Sequence, residues 1–330
     1  MSAWLPEIFA ALMGVAMLAY VILDGFDLGV GILLPGADAA QKDTMIASIG
    51  PFWDANETWL VLGVGILLIA FPVAHGVILG ALYLPVTLML VALILRGVAF
   101  DFRVKARARH KQSWDRAFFA GSALAALAQG FMLGAYIIGF EWTLANFAFA
   151  SFIGVCLLAG YSLLGACWLL LKTEGELQAK AARWARTSLW LTGVGIAAVS
   201  VATPLVSERI LVKWFTLPGF FWLLPIPLGS AALFVYAERL LQQAQAGTLA
   251  NVARPFQCAV GLFASAFAGL AYSLFPYLVV DRITIHEAAA APGSLWIILF
   301  GVAVTLPVIV GYSAYTYRVF RGKARPLRYY

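Results

Sequence analysis

Charge is scarce in this sequence. Only 12% of its 330 residues are Asp, Glu, Lys or Arg, about half the share that a soluble domain spends on a wetted surface. That shortage excludes a soluble globular chain, a disordered segment and a nucleic-acid-binding domain, each of which needs more charge than this. Cysteine is scarce as well. Cys156, Cys167 and Cys258 all fall inside apolar stretches without C-x-x-C spacing, so neither a disulfide framework nor a zinc site is expected. The three histidines, His75, His110 and His286, lie in connections or at the edges of apolar stretches. A haem held between helices needs His or His/Met ligands aimed into the bundle, so no haem and no metal is expected in this chain. Met13, Met17, Met89 and Met132 do lie in apolar stretches, where methionine reads as packing. A Walker loop, a G-x-G-x-x-G after a strand and an H-E-x-x-H are all missing, which leaves nucleotide-driven transport and zinc hydrolysis without supporting residues. Redox chemistry is expected from a partner.

What is abundant is apolar surface. Hydrophobic residues make up 63% of the chain and the mean hydropathy is +0.90, enough for eight to ten helical spans of roughly 20 residues. Polar punctuation divides the sequence into nine stretches, at about 5–23, 55–73, 76–95, 118–140, 147–171, 187–206, 219–237, 256–277 and 294–317. Pro72 predicts a tight hairpin between the second and third. Of the 22 basic residues, all but Arg209, Lys213 and Arg282 fall in alternate connections on one face. The positive-inside rule makes that face cytoplasmic, with the N-terminus periplasmic and the C-terminus in the cytoplasm. The net charge of +6 is thereby an orientation marker. Residues 1–6 carry no Lys or Arg and no small-residue cleavage site follows the first span, so it is expected to be retained. The whole of 1–330 reads as a single integral membrane domain in a bilayer, with no role for nucleic acid.

Three polar clusters fall where the membrane tolerates them least. Asp24-Gly25-Phe26-Asp27-Leu28-Gly29 closes the first span; on a continuing helix its two acids share a face, and Gly25 and Gly29 admit a neighbouring backbone. Trp53-Asp54-Ala55-Asn56-Glu57-Thr58-Trp59 opens the second. Acids in a first helical turn complement the helix dipole, but two carboxylates, an Asn, a Thr and two Trp in seven residues exceed what capping needs. Arg96-Gly97-Val98-Ala99-Phe100-Asp101-Phe102-Arg103 closes the third, where a snorkelling Arg96 is the ordinary reading and a pair between Arg96 and a carboxylate of the first two clusters is the sharper one. Ionisable groups at this depth are expensive and mark proton or ion pathways. Trp53, Asp54, Glu57, Asp24 and Asp27 are the expected proton-pathway residues, and Arg96, Asp101 and Arg103 the expected ion-pair residues.

In these motifs, and in Lys172-Thr173-Glu174-Gly175-Glu176-Leu177, Thr284-Ile285-His286-Glu287-Ala288-Ala289 and Phe320-Arg321-Gly322-Lys323, the sequence resembles subunit II of cytochrome bd-type quinol oxidases along nearly its whole length. The resemblance implies an all-α polytopic fold: nine transmembrane helices as two four-helix bundles plus a peripheral ninth. It implies a similarly folded subunit I that carries haems b and d, the quinol-oxidising loop and the oxygen-reducing centre, with subunit II haem-free. It also implies a bacterial inner membrane, support of assembly, and a cytoplasmic proton path with Trp53 and Asp54 near its mouth. A small single-span accessory subunit is compatible with it. A structural quinone, associated with some members, has no residue pattern here to carry it over. Phe52 stands where many relatives have His and Ala55 where many have Gly, as in the short-loop, cyanide-insensitive branch. Two alternatives compete: a stand-alone proton-coupled secondary transporter, with Gly130 and Pro204 as its helix interruptions, and a purely structural membrane subunit whose acids serve only as interface salt bridges.

Overall fold

A computed structural model describes residues 4–324, the side chains of residues 108 and 206 excepted. Met1 to Ala3, and Arg325 and Arg328 of the basic tail, lie outside the described residues. Among the described residues, nine helices are long and apolar enough to cross a membrane, and they coincide with the nine predicted stretches. They are α1 (Leu5–Leu33), α3 (Trp53–Ala70), α4 (Pro72–Lys105), α5 (Ala108–Ile137), α6 (Leu144–Lys172), α7 (Gly175–Val206), α9 and α10 (Gly219–Leu223 and Pro225–Gln245, one span), α11 (Arg254–Leu274) and α13 (Pro292–Val319). Short elements join them: α2 (Ala39–Ile49), α8 (Glu208–Phe215), a hairpin of β1 (Tyr277–Val279) and β2 (Ile283–Thr284), and α12 (Ile285–Ala288).

Local chemistry starts and stops these elements. Pro6 and Glu7 occupy the first turn of α1, and Pro72 that of α4, positions where proline costs no hydrogen bond. Phe71 alone separates α3 from α4, forming the tight hairpin. Asp38 and Gln41 form a reciprocal capping box on α2, and Thr284 and Glu287 do so on α12. Thr143 caps α6 by accepting from the Asn146 amide.

Helices α1, α3, α4 and α5 pack together, α6, α7, α10 and α11 pack together, and α6 lies against both α1 and α5. The tightest crossing is that of α1 and α6. A Cβ on Gly29 would sit 1.8 Å from the Tyr161 carbonyl oxygen, and one on Gly165 would sit 2.3 Å from the Gly29 carbonyl carbon. Backbone meets backbone there, the close approach that small residues allow between membrane helices. Helix α13 packs chiefly on α1 and α3, meets Trp168 of α6 through Tyr317, and leaves most of its length exposed.

Two boundaries differ from the sequence reading in a way that matters. Helix α1 runs ten residues past its predicted end at 23, and α4 runs ten past 95. The apolar runs stop at those positions, but the helical hydrogen bonding continues because the polar side chains that follow have partners inside the protein.

Candidate functional site

The continuation of α1 carries Asp24 and Asp27, three residues apart on one face, and both are completely buried. Helix α3 begins at Trp53, so Asp54 stands in its first turn, followed by Asn56 and Glu57. Helix α4 contributes Arg96, the largest of the fully buried side chains at 1% exposure. Helix α1 packs along α3, and α3 is joined to α4 by their hairpin, so the three helices bring these side chains to one point.

Arg96 is the hub. Its Nη1 donates to Asp24 Oδ1 at 2.6 Å and its Nη2 donates to Glu57 Oε1. The guanidinium carbon lies 6.0 Å from the centre of the Trp53 ring, within the range of a cation–π contact, and Trp53 packs on Phe100 with ring centres 5.1 Å apart. Asp27 is in no ion pair among the described residues. Its Oδ2 accepts from Asn56 Nδ2 at 2.8 Å. The same amide nitrogen donates to the Leu23 carbonyl at 3.2 Å, and Asn56 Oδ1 accepts from the Tyr317 hydroxyl at 3.0 Å. Asp24 Oδ2 and Asp27 Oδ1 are buried without a hydrogen-bond partner.

Two carboxylates thus share one cation, and a third, Asp27, is buried beside them without one. Removing an ion from water costs several kcal/mol unless it is paired and hydrogen-bonded, so an interior with a surplus of two negative charges takes up protons or water. The cluster is also connected outward. Glu57 is 28% exposed at its side chain, and Asp54, one turn earlier on the same face of α3, is exposed. Asp54 itself lies outside the buried network, with Glu57 as the group between them.

Two turns beyond Arg96 on α4, Arg103 makes a second cluster. Arg103 donates to Asp115 Oδ1 at 2.5 Å and to Asp43 Oδ1 at 2.8 Å. Lys42 backs Asp115 at 3.5 Å and Lys111 backs Asp43 at 3.4 Å. Partial burial works to raise the Asp43 carboxyl, but the hydrogen bond and charge of Arg103, with Lys111, hold it below the usual carboxylate range. Asp101, named with Arg103 from the sequence, points out to the surroundings and joins no ion pair among the described residues.

Four residues of these clusters escaped the sequence reading as site residues: Asn56, Tyr317, Asp43 and Asp115. Asn56 sat in the densest polar motif and was visible in principle. Nothing local marks Tyr317, which is 261 residues from its partner. His75 and His110 lie in the first turns of α4 and α5, and His286 lies in α12 against Glu7 at 2.7 Å. Among the described residues no group of three or more His, Cys, Asp or Glu is placed to hold a metal ion. Gly130 lies in an unbroken α5, facing the Gly154 backbone, and Pro204 lies in the last turn of a continuous α7, so neither interrupts a span at mid-membrane.

The chain is similar to cytochrome bd ubiquinol oxidase subunit 2 of Bacillus subtilis, 27% identical over 97% of this chain and 96% of the relative. It is 30% identical to cytochrome bd-I ubiquinol oxidase subunit 2 of Escherichia coli over 58% of this chain and 55% of that one. Its fold matches a chain in the structure of bd oxidase from Geobacillus thermodenitrificans, with a TM-score of 0.76 and 18% identity, covering 96% of this chain and 98% of that chain. The family model for cytochrome bd terminal oxidase subunit II matches residues 5–320. This multi-pass membrane chain belongs to the cytochrome bd terminal oxidase subunit II family, whose members are components of an oxidoreductase complex.

Proposed function

We propose that this chain is the haem-free second subunit of a quinol:oxygen oxidoreductase in a bacterial inner membrane, and that it both supports assembly of a haem-bearing subunit I and conducts protons toward it. Its own donor set does not fit a haem: the three histidines lie in first turns of helices or in a short surface helix. No step is therefore assigned to a cofactor in this chain. The arrangement is read as one membrane domain of two four-helix bundles, α1, α3, α4, α5 and α6, α7, α10, α11, with α13 peripheral. The end bearing Lys42, Arg103, Lys172 and Lys323 is read as cytoplasmic on its charge.

The observation that carries the proton role is the buried surplus of acid around Arg96, connected outward through Glu57 to the exposed Asp54. In this reading Asp54 accepts protons at the cytoplasmic surface, and Trp53 walls the passage beside it. Glu57 passes them inward, and Asp24 and Asp27 hold them in the dry interior, with Arg96 balancing the charge. Drawing protons from the cytoplasmic side makes oxygen reduction in the partner charge-separating.

Asp54→Asn tests this. The variant keeps shape and hydrogen-bonding capacity but cannot take up a proton, so oxygen consumption by the assembled complex is expected to fall at least tenfold with haem content unchanged. Turnover at the wild-type rate in a haem-replete Asp54→Asn complex would leave only the assembly role. The stand-alone transporter finds no support in the unbroken α5 and α7, and co-purification of a haem-bearing partner through a tag on this chain excludes it.

A further inference from the structure

Asp27 differs from the other acids of the Arg96 cluster. Asp24 and Glu57 are held by the guanidinium, whereas Asp27 faces a neutral amide and has one oxygen, Oδ1, buried with no partner. The groups facing Asp27 are Asp24 from its own helix, Glu57 from α3, Arg96 from α4 and Tyr317 from α13. The nearest lysine of α6, Lys172, is turned to the Phe320 carbonyl at 2.7 Å.

The orientation of Asn56 is dictated by its surroundings. The Leu23 carbonyl is an acceptor only, so the Asn56 edge that meets it within 3.2 Å must be the NH2. That nitrogen then also faces Asp27 Oδ2, and the opposite edge, Oδ1, accepts the Tyr317 proton at 3.0 Å. A flipped amide would set its oxygen against both a carbonyl and a carboxylate. Tyr317 therefore acts on Asp27 through Asn56. It is itself fixed by stacking on Phe52, ring centres 4.6 Å apart.

We infer that Asn56 and Tyr317 are positioning residues for Asp27: the amide, locked by the Leu23 carbonyl and the α13 hydroxyl, supplies one donor to the ionised form of Asp27 and leaves Oδ1 as the atom that takes up and releases the transferred proton. The ninth helix, peripheral in packing, is thereby part of the proton-handling site. This inference rests on the proton-conducting reading above. It adds no net chemistry: the proton arrives on Oδ1 and leaves from it, while the Asn56 amide keeps both hydrogens.

The test uses the whole oxidase complex with its partner subunit, assayed for oxygen consumption across pH and for protonated carboxyl groups by infrared difference spectroscopy in H2O and D2O. Tyr317→Phe and Asn56→Ser are expected to lower turnover about three- to tenfold at normal haem content. They are expected to move the pH profile toward higher pH, because Asn56→Ser removes the amide that donates to the ionised carboxylate and Tyr317→Phe removes the hydroxyl that holds that amide in place, and to shift the carboxylic C=O band of Asp27, identified by its loss in Asp27→Asn. An unchanged rate, pH profile and band in both variants, alongside a strongly impaired Asp27→Asn, overturns the positioning role while leaving proton conduction intact. Wild-type turnover in Asp27→Asn and Asp54→Asn together overturns the proton-conducting reading and this inference with it. Should Asn56→Ser fail to assemble, Tyr317→Phe, which removes a single oxygen at a half-buried site, carries the test.

Discussion

Helix α4 holds two buried arginines seven residues apart, and they solve opposite problems. Arg96 is enclosed among α1, α3 and α4, and within salt-bridge distance it is the only cation that Asp24 and Glu57 meet among the described residues. Arg103, at 3% exposure, is nearly as buried, yet both of its acids reach the rim, where Lys42 stands by Asp115 and Lys111 by Asp43. The deep cluster therefore carries more acid than base, and the rim cluster more base than acid. Redundant cations at a wet edge pin elements together, since a lost partner is replaced by another or by water. A single cation against surplus acid in the dry interior fastens poorly and leaves protons something to do.

The largest expected effect separates the two directly. Arg96→Ala strands the buried Asp24 carboxylate and the partly buried Glu57, a change that costs about 3–5 kcal/mol when a buried pair loses one member. It is expected to abolish accumulation of the complex, read as haem content in purified membranes. Arg103→Ala leaves Asp115 with Lys42 and Asp43 with Lys111, and is expected to cost about 1–3 kcal/mol. It should give an assembled complex with a lowered melting temperature and near-normal turnover. Equal losses from the two substitutions would erase the distinction between a site and a clasp.

The smallest effect lies at the rim and depends on pH. Because Arg103 and Lys111 hold the Asp43 carboxyl below its ordinary value despite partial desolvation, its contribution is present above the unfolded carboxylate range. It is lost as pH falls through the lowered folded value. Helix α2, tied to α4 and α5 through Asp43, is expected to lose protection against amide hydrogen exchange, measured relative to the intrinsic rate at each pH, as pH drops below about 4, while amides around Asp24 on α1 keep theirs. Asp43→Asn should make that protection independent of pH over the same interval. Uniform loosening of α1 and α2 would place both clusters in one cooperative unit.

Much of this molecule is legible in its sequence. Nine spans and the hairpin at Pro72 follow from hydropathy and proline, and the acids at Asp24, Asp27, Asp54 and Glu57 stand out because ionisable side chains beside long apolar runs are costly. The reach of α1 to Leu33 and of α4 to Lys105 is less legible. Hydropathy ends a span where charge begins, whereas the helices continue because Asp24 and Arg96 neutralise each other across 72 residues. The exposure of Asp54 and Asp101, and the burial of Arg103 beside them in sequence, depend on which helix face meets a neighbour.

The sequence by itself determined that this chain lives in a bilayer, how many times it crosses, which end gathers the basic residues and which motifs gather the acids. Those are properties of local composition and of the cost of moving charge out of water, and both are summed along the chain. Only the tertiary structure decided that Arg96 spans Asp24 and Glu57, that Asn56 turns its NH2 to Asp27, and that Tyr317 of the last helix completes the cluster. Such pairings depend on distances of a few ångströms between helices far apart in sequence. They are fixed where backbones can approach, as Gly29 and Gly165 allow, and no local pattern encodes that meeting.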